Sequence, residues 1–205
     1  DHIQAAWATA LVFCAAAGSM IAAGLHGPSI LDPAMVPLRY ADQLVSGNGL
    51  VFNPGERVEG FGDPLWMALL SLGRALGADG IELASSLGIA GLGLTVLLVG
   101  WIGIRMLGER QGVLAALMIG AWPPMWVAAR SLDDVMLLSP LILWSTGLLL
   151  SERDGSSRSC WPTAALVLTA LTGLVGAASA WVLSLLAQRK RWVAVPATLL
   201  MLSSI

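Results

Sequence analysis

Charge is scarce in this chain. Lys, Arg, Asp and Glu make up 12% of its 205 residues, against about 25% in soluble domains. Cysteine is nearly absent too: two residues cannot build a disulfide framework. Cys14 lies in an apolar run and Cys160 beside a basic loop, so both read as small buried side chains rather than a bridge. A net charge of −2 excludes a basic nucleic-acid surface, and no nucleic-acid partner is expected. Neither G-x-x-x-x-G-K-[ST] nor G-x-G-x-x-G occurs, so no phosphate-cradling glycine loop marks a nucleotide site. No basic stretch precedes the first apolar run, as a signal peptide would require. The chain opens at Asp1 without methionine and stops inside "LLMLSSI", so it reads as a piece of a longer protein.

Hydrophobic residues, by contrast, make up 57%. A membrane-spanning helix needs about 20 mainly apolar residues. Residues 5–25, 83–104, 112–129 and 135–150 are the clear candidates, followed by an interrupted stretch over 161–187 and a truncated one over 192–205. "PLWMALLSLGRAL", residues 64–76, is too short to cross and reads as an amphipathic helix lying at the interface. With 64–76 kept on one side, alternate loops collect Arg105, Arg110, Arg153, Arg158, Arg189, Lys190 and Arg191, seven of the 11 basic residues. Positive loops stay cytoplasmic. Nine of the 13 acidic residues then lie outside, most of them in one extracytoplasmic loop over residues 26–82. The expected fold is an all-α polytopic membrane protein with a large first extracytoplasmic loop carrying short interfacial helices.

That loop is organised. "PAMVPLRYADQLVSG" reads as a short amphipathic helix, with Pro33 in its first turn and Gly47 at its end. "GNG" and "NPGE" are turn signals around Leu50-Val51-Phe52. Long structured loops tend to carry function.

The run "DPAMVPLRYADQLVSGNGLVFNPGERVEGFGDPLWMALLSL" resembles the first extracytoplasmic loop of GT-C-type polytopic glycosyltransferases. It is most similar to the branch of bacterial cell-wall arabinofuranosyltransferases. "GLVFNPGERVEG" is its most specific part, and "AWPPMWVAARSLDD" resembles the family's Pro-Pro segment and the turn that follows. The resemblance spans most of residues 30–155. It implies a GT-C-like helix bundle in the plasma (inner) membrane of a bacterial cell, with its active side extracytoplasmic. It further implies inverting transfer of a sugar from a polyprenyl-phosphate donor to a glycan or protein acceptor in the cell envelope. Two departures stand out. The family's acidic pair is Asp32-Pro33, and its Arg-Pro-Glu-Gly after "LT" is "GLVG", residues 173–176.

Inverting transfer needs a base for the acceptor hydroxyl and a cation or metal for the departing phosphate. The resemblance makes Asp32 the base; read locally, the same residue caps a helix starting at Pro33. Asp133 and Asp134 are candidates for binding the acceptor, or a divalent metal together with Asp32. "SLDD" reads equally as a helix start, with Ser131 as cap and acids in the first turn. Arg39, seven residues after Asp32, is a candidate for the donor phosphate or for an ion pair with Asp42 three residues on. His26 is a candidate phosphate neighbour or a plain interfacial histidine. Glu56, Arg57 and Glu59 read as a salt-linked loop shaping the cavity floor. Trp66, Trp122 and Trp126 read as interfacial anchors. The "GLVG" departure favours a second reading, a non-catalytic scaffold or lipid- or partner-binding subunit of the same fold. A transporter would carry polar residues within its spans or show repeats, and these spans are almost free of charge.

Overall fold

The computed structural model describes residues 2–27, 32–56, 60, 62–153 and 161–186. Regular structure among them is helical, apart from an isolated bridge between Asn53 and Glu56. The helices are α1 (His2–Leu25), α2 (Asp32–Val45), α3 (Pro64–Ala75), α4 (Gly80–Leu107), α5 (Glu109–Gly120), α6 (Pro123–Ala129), α7 (Val135–Arg153), α8 (Trp161–Ala170) and α9 (Leu174–Leu186). Two are long and apolar enough to cross a membrane: Ala6–Leu25 within α1, and α4. At about 1.5 Å per residue they reach the roughly 30 Å of a hydrocarbon core. The chain is thus an all-α membrane protein.

The apolar run 112–129 is not one straight helix. Between α5 and α6 the axis bends by 61°. The cause is local: Trp122 precedes Pro123, and the proline ring drives its neighbour out of the helical region. Trp122 accordingly sits at φ −84°, ψ 110°, and Pro123 opens α6, where a missing N–H costs nothing. A second interruption separates α8 from α9. Residues 192–205 lie outside the described residues.

The chain divides into two compact units, Asp1–Ile30 with Ser85–Leu143, and Leu31–Ala84 with Trp144–Ile205. In the first, α1 packs on α5 and α6, and Val12, Ala16, Leu92, Val96, Ala116, Ala129 and Met136 form the core. Its small side chains let backbones meet. A side chain at Gly88 would strike the Ala129 carbonyl, and one at Gly91 the Met136 carbonyl. Pro140, inside α7, has no N–H to give that Met136 oxygen, so α4 approaches a carbonyl that lacks its usual donor four residues on. These contacts seat the segment 129–136 on α4.

In the second unit, α2 packs on α3, and α8 on α9. Both α2 and α3 end in the same way. Asn48 N–H reaches the Gln43 carbonyl and Gly47 N–H that of Leu44; Ala78 reaches Gly73 and Gly77 reaches Arg74. This is the Schellman pattern, which requires the positive φ of Gly47 and Gly77, at 82° and 87°. Asp79 then caps α4, its Oδ1 accepting from Ile81 and Glu82 N–H at 2.9 and 3.0 Å. Trp66 corrects the sequence reading. Only 1% of it is exposed, so it is core beside Leu70 rather than an interfacial anchor.

Candidate functional site

The structure places Asp32 at the first residue of α2, ahead of a proline that suits a helix start; its side chain lies outside the described residues. Arg39 is seven residues on, about two turns at 3.6 residues each, and so lies on nearly the same helix face. It is exposed, and its Nε donates to the Phe52 carbonyl at 3.2 Å, tying α2 to the following loop. Tyr40 beside it is 1% exposed and packs its ring on Phe52, centroids 5.9 Å apart. Asp42 does not pair with Arg39. It accepts from Arg74 Nε at 2.6 Å, across the α2–α3 contact. With both side chains partly exposed, at 32% and 45%, such a pair is worth at most about 1 kcal/mol. Its consequence is chemical: Asp42 is committed elsewhere, and Arg39 has no carboxylate partner among the described residues.

The loop after α2 is held by its own side chains. Glu56 N–H bonds the Asn53 carbonyl at 3.0 Å, with Pro54 and Gly55 between and Gly55 at φ 92°. Proline then a positive-φ glycine is the signature of a type II turn. The Glu56 carboxylate accepts from Asn53 Nδ2 at 3.1 Å, which closes the turn from outside. Arg57 and Glu59 lie outside the described residues.

The "GLVG" segment has a structural role. Leu65 N–H donates to the Leu171 carbonyl at 3.0 Å, so the start of α3 docks on the turn between α8 and α9. In that turn Gly173 sits at φ 102°, and a side chain there would overlap Asp63 Oδ1 and the Gly62 carbonyl. At the position where the resembling family carries arginine, this chain has a backbone conformation and a packing that exclude any side chain.

His26, Asp133 and Asp134 belong to the other unit. His26 Nδ1 donates to the Ala22 carbonyl at 2.7 Å, and its ring lies 5.7 Å from that of Trp126. Trp126 is half-buried and gives its indole N–H to the Gly120 carbonyl at 2.8 Å, bridging the α5–α6 bend. Ser131 is not a cap for α7: its hydroxyl turns back to the Ala128 carbonyl at 2.8 Å. Helix α7 starts only at Val135, so the acids precede the first turn rather than lie in it. Exposed Asp133 accepts the Asp134 N–H through Oδ1 at 2.9 Å. Among the described residues, no three of His, Cys, Asp and Glu converge where they could hold a metal ion.

One charged residue escaped the sequence reading. Arg130, at the end of α6, donates through Nη1 to Ser85 Oγ in α4, while its Nε is shielded from solvent and has no hydrogen-bond partner among the described residues. Only its place in "AARSLDD" hinted at it, and a single arginine at the end of an apolar run is indistinguishable from a solvated one until the neighbouring helix is in place.

The chain is 34% identical over 129 residues to the terminal β-(1→2)-arabinofuranosyltransferase of Mycobacterium tuberculosis (strain ATCC 25618 / H37Rv). That relative is a glycosyltransferase. The alignment covers 58% of this chain and 20% of the mycobacterial protein, so the chain spans about a fifth of its relative's length. No protein-family model matches the chain, and no solved structure matches it.

Proposed function

We propose that the chain is part of a membrane glycosyltransferase that moves a sugar from a polyprenyl-phosphate donor to an extracytoplasmic acceptor. The observation that carries this reading is the 34% identity to an arabinofuranosyltransferase; the two helices long enough to span a membrane support it. In the proposed step an acceptor hydroxyl oxygen attacks the anomeric carbon. The bond from that carbon to the phosphate oxygen breaks with inversion, and the Asp32 carboxylate takes the hydroxyl proton. The electron pair leaves on the lipid phosphate, whose charge a guanidinium stabilises. Arg39, on nearly the same face of α2 as Asp32 and with no carboxylate partner among the described residues, suits that role.

A second reading, a non-catalytic scaffold of the same ancestry, is favoured by one observation. The Gly173 turn admits no side chain where the resembling family has a cation.

The orientation is open to direct test. In a full-length protein with Cys14 and Cys160 replaced by serine, single cysteines are placed at Ser46, Leu76 and Ser156. A membrane-impermeant thiol reagent applied from outside is expected to label the first two and spare the third. Leu76 is 81% exposed just after α3, a 12-residue helix that reaches about 18 Å and so cannot cross alone. Opposite labelling of Ser46 and Leu76 would make α3 a crossing element. Labelling of Ser156 alone would put Asp32 on the wrong side for an extracytoplasmic acceptor.

A further inference from the structure

Between Trp161 and Ala187 the chain has no ionisable side chain. Trp161, Val167, Val175 and Val182 are exposed there, a surface suited to lipid. As one helix the stretch would be long enough to cross. The structure folds it in half instead. Residues 171–173 join α8 to α9, and the two helices pack on each other, so they run antiparallel. Leu166 and Ala170 of one arm share a buried cluster with Ala177 and Ala180 of the other. A side chain at Gly176 would overlap the Thr169 carbonyl and the Thr172 hydroxyl, so the arms meet backbone to backbone near the turn. The arms have 10 and 13 residues. At about 1.5 Å each they reach about 15 and 20 Å, and neither crosses a core of roughly 30 Å.

The tip is built for a dry place. Within a bilayer, backbone polar groups at a turn need partners from the protein. Leu171 N–H returns to the Val167 carbonyl at 3.1 Å, Thr172 N–H to that of Thr169 at 3.2 Å, and Ala177 N–H to that of Gly173 at 2.9 Å. The Leu171 carbonyl takes the Leu65 N–H from the start of α3 at 3.0 Å. The hydroxyls turn inward as well. Thr172 donates to the Thr169 carbonyl at 2.7 Å and Thr169 to that of Ala165 at 2.8 Å. Thr169 Oγ1 also lies 3.0 Å from Ser145 Oγ, which joins α8 to α7. Ser145, Thr169 and Thr172 are each 1% exposed or less. Such a turn has no need of water.

A hairpin leaves on the side it entered, and charge says which side. Arg153 and Arg158 precede α8; Arg189, Lys190 and Arg191 follow α9. One crossing would carry one of these clusters outside, against the tendency of Lys and Arg to stay cytoplasmic. A hairpin keeps both inside. We infer that α8 and α9 form a re-entrant hairpin that enters and leaves on the cytoplasmic side, its tip met within the bilayer by the start of α3. The inference needs a membrane but no transferase activity. It has a consequence for the polar loop. A tip about 15–20 Å from the cytoplasmic face draws the start of α3 about 10–15 Å below the outer one. Helix α3 then slants into the outer leaflet rather than lying flat. Gly62 is exposed and Asp63 partly so; at that depth they face water rather than lipid, in a hydrated recess open to the outside.

The test uses the full-length protein freed of native cysteines, with Ser156→Cys and Gln188→Cys on either side of the hairpin and Ser46→Cys as the reference. In intact cells a membrane-impermeant thiol reagent is expected to label position 46, and to reach 156 and 188 only after permeabilisation. Depth is read in nanodiscs from nitroxides on two further variants. Leu174→Cys is beside the tip at a side chain 51% exposed, and Gly62→Cys is where a side chain meets nothing within 4 Å. Oxygen is expected to relax the label at 174 more than a water-soluble nickel complex does, and the reverse is expected at 62. Labelling of 156 and 188 on opposite sides would mean one crossing and overturn the inference. So would labelling of both from outside. Strong relaxation at 174 by the nickel complex would put the hairpin outside the bilayer and overturn it too, and oxygen-dominated relaxation at 62 would remove the hydrated recess. None of these outcomes depends on sugar transfer.

Discussion

Replacing Asp32 by asparagine in the full-length protein is expected to abolish sugar transfer while leaving expression and thermal stability nearly intact. Loss of a general base costs about 10²–10⁴-fold in rate. Asparagine keeps the size of the side chain and still offers an oxygen to the free N–H groups in the first turn of α2, which begins at Asp32 itself, but it cannot accept the hydroxyl proton. Loss of a helix cap shows instead as about 0.5–2 kcal/mol of stability. The two roles of Asp32 therefore separate in one variant, where alanine would remove both. Initial rates with a labelled donor, beside a melting curve, are the measurement. Near-normal transfer would move the base elsewhere, with Asp133 and Asp134 next in line.

The second large effect falls on folding. Gly173→Ala is expected to destabilise the protein by about 2–5 kcal/mol, from a left-handed backbone penalty added to an overpacking penalty. Two causes act together: φ is 102°, and a methyl group there would overlap Asp63 Oδ1 and the Gly62 carbonyl. Leu174→Ala, one residue on at a side chain 51% exposed, is expected to stay within about 0.5 kcal/mol. Gly173→Arg, which rewrites the position toward the resembling family, is expected to fold worse still and to gain no activity. Thermal unfolding of the three variants in detergent decides. An alanine variant as stable as wild type would mean that the 171–173 turn is not pressed against the start of α3.

Local chemistry in the sequence carried much of this. Gly47 marks a helix end because only a residue at ease with positive φ closes that turn, and "NPGE" is a turn because Pro54 and Gly55 prefer its two central conformations. The Pro-Pro pair in "AWPPMW" holds the signal for the α5–α6 bend, yet the apolar run around it fits a continuous span as well. What local pattern could not supply was partner choice across the chain. Asp42 has an arginine three residues before it, but its partner is Arg74, 32 residues on, because α2 and α3 lie side by side. Trp66 looks like an interfacial anchor in isolation and becomes core when α3 is covered. Ser131 looks like a cap until its hydroxyl finds the Ala128 carbonyl. For the candidate site the residue types were legible and their division between two units was not: Asp32 and Arg39 belong to one, His26, Asp133 and Asp134 to the other.

The most direct measurement is transfer itself. The full-length protein, purified into nanodiscs, is given a labelled polyprenyl-phosphate sugar and a glycan acceptor, with a nucleotide-linked sugar as the parallel donor. Label passing to the acceptor from the lipid donor alone, and lost in Asp32→Asn, is the expected result. Transfer from the nucleotide sugar instead, or no transfer from a lipid-phosphate donor by a wild type that is folded and binds that donor, would contradict it.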